Sequence, residues 1–382
     1  MISNEIKYIG VSDRTLDLFE GQYKVPNGMA YNSYLIKDEK IAVIDSVDAK
    51  FTDEWLHNIK IEIGDKSPDY LIVQHMEPDH SANIDNFAKR YPETTIVATD
   101  KAFAMMAKFF NTEYIERRIV VKDNDTLSIG KRTLTFYTAP MVHWPEVMMT
   151  YENVDKVLFS ADAFGKFGAF DADEDWACEA RRYYFGIVGK YGNQVQAVLK
   201  KLSGLDIKAI CSLHGPILQE NLDYYLSLYN IWSSYQPESN GVAIFYTSVY
   251  SNTKKAVELL SDELKKLGEN NVSVTDLARS DMAEAIEDAF RYGKIILATT
   301  TYNGDIFPFM KQFIHELLER GYKNRRIGLI ENGSWNPIAA KKIKEMFASS
   351  KDISFSDALV TINSALNSNS ISQIKNLAKD FI

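Results

Sequence analysis

The stretch LIVQHMEPDHSANI, residues 71–84, sets His75, Glu77, Asp79 and His80 within six positions, directly after a short apolar run. Imidazole nitrogens and carboxylate oxygens are the side-chain donors that hold divalent metals. Three more segments repeat the placement. TAPMVHWPEVMMT carries His143, VLFSADAFG carries Asp162 and AICSLHGPI carries His214, each just past an apolar run that reads as a strand. A polar loop with no ligand is the plainer explanation of any one of these. Four in one region, using four of the six histidines in the chain, is a pattern chance rarely produces. The remaining two, His57 in DEWLHNIK and His315 in FMKQFIHELLER, fall in helical patterns off the apolar stripe and read as solvated. The candidate site therefore has four imidazoles (His75, His80, His143, His214) and three carboxylates (Glu77, Asp79, Asp162). That is too many for one zinc ion, which prefers four ligands, and it suits two metals sharing a bridging carboxylate. No thiolate joins the set, which argues against copper(I) and iron–sulfur chemistry. Trp144, beside His143, either walls this site or packs in the core.

A second chemical signal lies further along. FYTSVYSNTKKAV joins an apolar run to a helical pattern and is rich in hydroxyls: Thr247, Ser248, Tyr250, Ser251 and Thr253. Hydroxyls and backbone N–H groups at a helix start can hold a phosphate monoester without a lysine. The nucleotide pattern G-x-x-x-x-G-K-[ST] is absent. Plain N-capping is the alternative for this loop alone. Two later loops, ATTTYNGDIFP (298–308) and IENGSWNP (330–337), also follow apolar runs.

Elements must place these groups. Strand-like runs at Val242–Tyr246, Val272–Leu277, Lys294–Thr299, Arg326–Glu331 and Ile353–Val360 alternate with helical patterns, which predicts a parallel sheet covered on both faces. The best boundary before them is SSYQPESNG, residues 233–241. This divides the chain into domains 1–239 and 240–382. The first half is looser and strand-rich. Strands are expected near Ala30–Ile36, Ile41–Asp45, Tyr70–Gln74, Thr95–Ala98, Ile119–Lys122, Thr133–Thr138, Val157–Ser160 and Ala209–Leu213. Helices are expected near Asp53–Ile61, Ser81–Arg90, Lys101–Phe110 and Val195–Leu202. Pro78 argues against helix around Glu77, so the four polar residues of the opening stretch are expected in a loop.

At 382 residues, with 46% hydrophobic and 25% charged, the composition is that of a globular two-domain protein. No apolar run is long enough to span a bilayer, and the N-terminus lacks a signal-peptide pattern, so the expectation is a cytoplasmic protein with no membrane partner. Cys178 and Cys211 read as free thiols in a reducing compartment. A net charge of −9 argues against nucleic acid as a partner.

The pattern H-x-E-x-D-H followed by a distant His, Asp and His resembles the flavodiiron proteins, also called A-type flavoproteins. The resemblance implies an α/β chain: an N-terminal metallo-β-lactamase-like αββα sandwich holding two irons, then a C-terminal flavodoxin-like doubly wound parallel five-stranded sheet holding FMN. It would place His75, Glu77 and His143 on one iron and Asp79, His80 and His214 on the other, with Asp162 bridging. The position of His80 is not always a ligand within the family. Hydrolases of the same fold usually have His where this chain has Glu77, and usually bind zinc. An added carboxylate favours the higher oxidation state of a metal, which suits iron. In the flavodoxin-like half, Ser248, Val249, Tyr250, Ser251, Asn252 and Thr253 would hold the FMN phosphate. Thr301, Tyr302, Asn303 and Gly304 would line one side of the ring, and Asn332, Gly333, Ser334 and Trp335 the other. Ser251 stands where flavodoxins often have Gly. Phe167 stands about where some members have His.

The activity implied is reduction of O2 to water, or of NO to N2O, with FMN relaying electrons. No stretch is left over for a rubredoxin or flavin reductase module, so a separate rubredoxin-type donor is expected. The family pairs subunits head to tail, the flavin of one facing the irons of the other, giving a homodimer or a dimer of dimers. Two alternatives stay open: a dizinc hydrolase of metallo-β-lactamase fold fused to a flavodoxin, and a non-enzymatic flavin electron carrier with a structural metal site.

Overall fold

The structure is a computed structural model that describes residues 3–382. The chain divides into two compact units. One runs to Tyr184 and resumes over Asn193–Asn230; the other comprises Phe185–Gly192 and Ile231–Ile382.

The first unit contains a six-stranded and a five-stranded sheet. In the six-stranded sheet Ile41–Ile44, Tyr70–Ile72 and Thr95–Ala98 run parallel side by side. The five-stranded sheet holds Thr133–Thr138, Met148–Glu152, Val157–Phe159 and Ala209–Cys211 in neighbouring order. Side chains alternate across each strand. Ile36, Ala42, Ile44, Ile72 and Val97 of the first sheet form one buried cluster with Leu134, Phe136, Met148, Val157, Phe159 and Cys211 of the second. Leu35, Val43, Leu71 and Ile96 point the other way and are equally buried. Continuous apolar strands such as IAVI are what a sheet covered on both faces requires. This is the metallo-β-lactamase-like sandwich that the resemblance implies.

The second unit has the parallel strand order Val272–Asp276, Ser239–Tyr246, Tyr292–Tyr302, Arg325–Asn332, then a fifth position. Two short segments, Ile353–Phe355 and Val360–Ile362, share that fifth position, so the expected strand 353–360 is broken in the middle. Helices Asn252–Lys266 and Ser368–Asp380 bury Leu260, Leu264, Ile374 and Leu377 on one face of the sheet. On the other face Phe313, from the helix Pro308–Glu319, meets Phe245 at 4.7 Å. The sheet is therefore doubly wound and flavodoxin-like. Its strand order reverses between Ser239–Tyr246 and Tyr292–Tyr302, which opens a crevice beyond their carboxyl ends.

Four local differences from the sequence expectations bear on the site. Pro78 does not prevent helix; it starts one, as the first residue of the short helix Pro78–Ser81. Proline is favoured there, because its missing N–H would have no partner anyway. Asp79 and His80 thus sit in a first helical turn rather than a loop. Met148–Glu152 is a strand, and Trp176–Tyr183 and Leu222–Ser233 are helices; none of these was expected.

Candidate functional site

Each candidate ligand follows the carboxyl end of a strand. His75 and Glu77 come after Tyr70–Ile72, His143 after Thr133–Thr138, Asp162 after Val157–Phe159 and His214 after Ala209–Cys211. The backbone turns sharply at these exits. Asp45, Met141, Ala161 and Phe164 adopt positive φ, an uncommon conformation for residues other than glycine that gathers at functional sites.

The seven side chains meet as two groups. His75, Glu77, His143 and Asp162 form one, and Asp79, His80 and His214 the other; within each, the ligand atoms lie within 4.8 Å of one another. Asp162 belongs to both by geometry. Its Oδ2 faces His75 Nε2 at 3.2 Å and His143 Nε2 at 3.1 Å, while its Oδ1 faces His80 Nε2 at 3.5 Å and His214 Nε2 at 3.6 Å. Glu77 Oε2 stands 3.0 Å from His143 Nε2, and Asp79 Oδ2 stands 3.2 Å from His80 Nε2. Donors about 2.1 Å from a common ion stand about 3.0 Å apart at right angles and about 3.4 Å apart at the tetrahedral angle. The observed separations match such a shell.

The donors also lack better partners. All four oxygens of Asp79 and Asp162 are buried without a hydrogen bond of good geometry, and His80 Nε2 lies 3.0 Å from His214 Nε2. Buried polar atoms normally find partners, so a cation at each group is what this arrangement fits.

The electrostatics agree. Burial would raise the Asp162 carboxyl, but His75, His143 and His80 hold it well below the carboxylate range. Burial would lower His75, yet Asp162, Glu146 and Glu77 hold it well above its ordinary value. His143 is likewise pushed up to about 9, against burial, by Asp162 and Glu77. Burial, then the charges of Glu77 and Asp162, push Asp79 well up. Burial, then His214, push His80 well down. These environments favour the protonated form at His75, His143 and Asp79. Metal ions would displace these protons.

Several residues that sequence reasoning missed support the ligands. Asp45 accepts from Gln74 N at 2.7 Å and from Gln74 Nε2 at 3.0 Å, fixing the segment before His75. Glu146 Oε1 meets His75 Nδ1 at 2.8 Å. Tyr183 is fully buried, 5.4 Å from the His214 ring; burial and the charges of Asp162, Glu77 and Asp79 keep its phenol protonated. Phe19 packs edge-on to His214, with Phe167 and Tyr23 behind it. Trp144 stands edge-on to His75 at 5.3 Å, so it does wall the site. Asp45 carried a readable signal, a lone carboxylate ending the apolar run IAVI. Tyr183 carried none.

In the second unit a cleft of about 610 Å³ opens at the reversal of strand order. Ser248, Val249, Tyr250, Asn252 and Thr253 line it, with Thr301, Tyr302, Asn303, Gly304, Asn332, Gly333, Ser334 and Trp335. Thr300, Asn336 and Ser364 also line it and were not expected. Ser251 contributes backbone shape: its φ of 65° is the left-handed conformation that explains a glycine in relatives of the fold. Lys254 N donates to Ser248 Oγ at 3.2 Å, folding the hydroxyl loop over the helix start. Asn332 and Ser364 exchange hydrogen bonds of 3.2 Å, joining two rims. Tyr250 and Trp335 stand 86% and 93% exposed at the mouth, leaving broad aromatic faces for a planar ligand.

The family model described as ODP family beta lactamase matches residues 29–215. The anaerobic nitric oxide reductase flavorubredoxin of Salmonella paratyphi B is 30% identical over 356 residues, covering 90% of this chain and 74% of the relative. The structure of rubredoxin oxygen:oxidoreductase from the anaerobe Desulfovibrio gigas superposes with a TM-score of 0.91 at 26% identity, covering 99% of this chain and 96% of that one. The flavodiiron protein from Giardia intestinalis also gives 0.91 at 26%, covering 99% and 94%.

Proposed function

The chain belongs to the flavodiiron protein family and is an oxidoreductase, and from that premise we propose that it reduces O2 to water at a non-haem diiron centre, with NO reduction to N2O as a second activity. The observation that carries this reading is Asp162, which aims one carboxylate oxygen at each group of ligands. His75, Glu77 and His143 would hold one iron and Asp79, His80 and His214 the other. Bound, two irons and one FMN supply up to four electrons, the number that turns O2 and four protons into two waters; two NO need only two electrons to give N2O.

The chain's own part is positioning and exclusion. Asp162 fixes the spacing of the two metal positions, and Glu77 and Asp79 complete the charge each requires. Phe19 and Trp144 give the site apolar walls suited to small uncharged gases. The ring of Tyr183 packs 5.4 Å from that of His214, and its phenol keeps its proton.

In this reading residues 1–239 form the diiron domain and 240–382 the FMN domain. Ser248–Thr253 would hold the FMN phosphate, and residues 301–304 and 332–335 would flank the ring, with Trp335 stacking. A Cβ on Gly333 would lie 2.9 Å from Pro337 Cα, so Gly333→Ala must shift that rim. Weakening of FMN binding by about tenfold is expected, read by flavin fluorescence titration. The donor would be a rubredoxin-type protein and the assembly a head-to-tail dimer. No helix among the described residues is long and apolar enough to cross a membrane.

Dissolved O2 and NO followed with chemically reduced rubredoxin as donor test the proposal. Gas consumption that requires both iron and FMN is expected. Flavin reduction without gas consumption would support the electron carrier, and hydrolysis with zinc alone would support the hydrolase.

A further inference from the structure

The histidines facing the two metal positions are held differently from behind. His75 Nδ1 meets Glu146 Oε1 at 2.8 Å, and both side chains are fully buried. The same oxygen accepts the backbone N–H of Met76 at 2.9 Å. Oε1 is thus an acceptor and Nδ1–H its donor, and with a metal bound His75 would keep that proton and turn its Nε2 lone pair to the ion, on the side of Glu77 and Asp162. Glu146 is anchored in turn, its carbonyl accepting from Thr99 Oγ1 at 3.0 Å. Its second oxygen is buried without a hydrogen-bond partner among the described residues, so no other donor draws on its charge. His214 Nδ1 meets a neutral acceptor instead, the carbonyl of Ala30, at 2.7 Å. His80 Nδ1 is buried with no hydrogen-bond partner among the described residues.

The ligands themselves do not separate the two positions. Each has two imidazoles and a carboxylate of its own, and both share Asp162. The asymmetry lies one bond further out. A carboxylate that accepts from Nδ1–H pushes electron density towards Nε2 and makes it a stronger donor; a carbonyl does so less.

We propose that Glu146 makes the two metal positions electronically unequal, so that the iron held by His75, Glu77 and His143 loses its electron before the iron held by Asp79, His80 and His214. This rests on the diiron reading above. Glu146 is a positioning residue: it touches no substrate and acts through His75. The step is a one-electron oxidation of ferrous to ferric iron. The electron passes to an added outer-sphere oxidant of the ferricyanide class, the proton stays on His75 Nδ1, and no bond to the chain is made or broken.

The test is a redox titration of the iron-loaded, flavin-bound protein, followed by the EPR signal of the half-oxidised centre. Glu146→Gln keeps the shape and an acceptor oxygen but removes the charge; Glu146→Asp keeps the charge. In Glu146→Gln the equilibrium constant for the first oxidation should fall at least about tenfold, about 59 mV for one electron, at unchanged iron content. Glu146→Asp should stay within about threefold of the parent. A Glu146→Gln protein with both irons in place and a constant within about twofold of the parent overturns the proposal, as does an equal shift in Glu146→Asp.

A further measurement needs neither variant nor iron. In the zinc-loaded parent protein, the His75 Nδ1–H proton should resonate well downfield of the His214 Nδ1–H proton, because its acceptor is charged. Coincident resonances overturn the proposal even if the variants fail to fold. Absence of iron from the parent, with the two resonances separated, would count against the diiron reading and not against the role of Glu146.

Discussion

Asp162→Ala should leave a yellow, folded protein that no longer holds two irons and no longer consumes O2. Its side chain is fully buried and faces both groups of ligands, with Oδ2 on one and Oδ1 on the other. Removing it takes a ligand from each metal position at once. It also leaves His75 and His143 without the charge that most favours their protonated forms. Loss of a supporting partner one shell out costs metal sites about 10–100-fold, so loss of a shared ligand should cost turnover at least about 100-fold. The FMN loops belong to the other compact unit and should keep the flavin. Iron content, flavin absorbance and O2 uptake on one preparation check this. A variant with full activity would exclude Asp162 as the bridge.

Asp45→Ala should have the largest effect on stability. Asp45 is completely buried and sits in the left-handed region at φ 52°, which aspartate tolerates better than alanine. Its carboxylate is the acceptor for Gln74 N and Gln74 Nε2. Alanine would strand both donors where water does not reach, at about 1–3 kcal/mol each. A loss of about 3 kcal/mol or more is expected, read by denaturant unfolding of the metal-free protein. Asp45→Asn retains an acceptor oxygen and tolerance of the left-handed backbone, so it should recover much of the loss. The same change loosens the segment that carries His75, so iron retention should fall with stability in the alanine variant.

The clustering of these side chains was legible because it obeys a rule that needs no tertiary knowledge. Strands of a covered sheet are apolar, so a lone polar residue at the exit of one stands out. His75, His143, Asp162 and His214 all do. Asp45 obeys the same rule, yet its carboxylate turns back to bind Gln74, and nothing local separates a ligand from a brace. Glu146 was invisible for another reason: its partner His75 lies 71 residues earlier, and only the packing of two sheets brings them together. The strand Met148–Glu152 was hidden by its composition, since VMMTYE lacks the run of β-branched residues that marks a strand.

In the second unit the alternation of strand and helix, and most of the cleft lining, were readable because loops at strand ends must form the crevice. The broken fifth strand was not, since the ladder lapses between Phe355 and Val360 inside an otherwise continuous pattern. The inclusion of Phe185–Gly192 in that unit has no local signature either. Phe185 stacks on Phe290 at 4.0 Å, a contact between segments far apart in sequence.

Anomalous diffraction at the iron edge, from crystals of protein purified without added metal, tests the central claim most directly. The account predicts two iron peaks, one within bonding reach of His75, Glu77 and His143, the other within reach of Asp79, His80 and His214, and both in contact with Asp162. Zinc in both positions, or a single ion that Asp162 does not share, would contradict it.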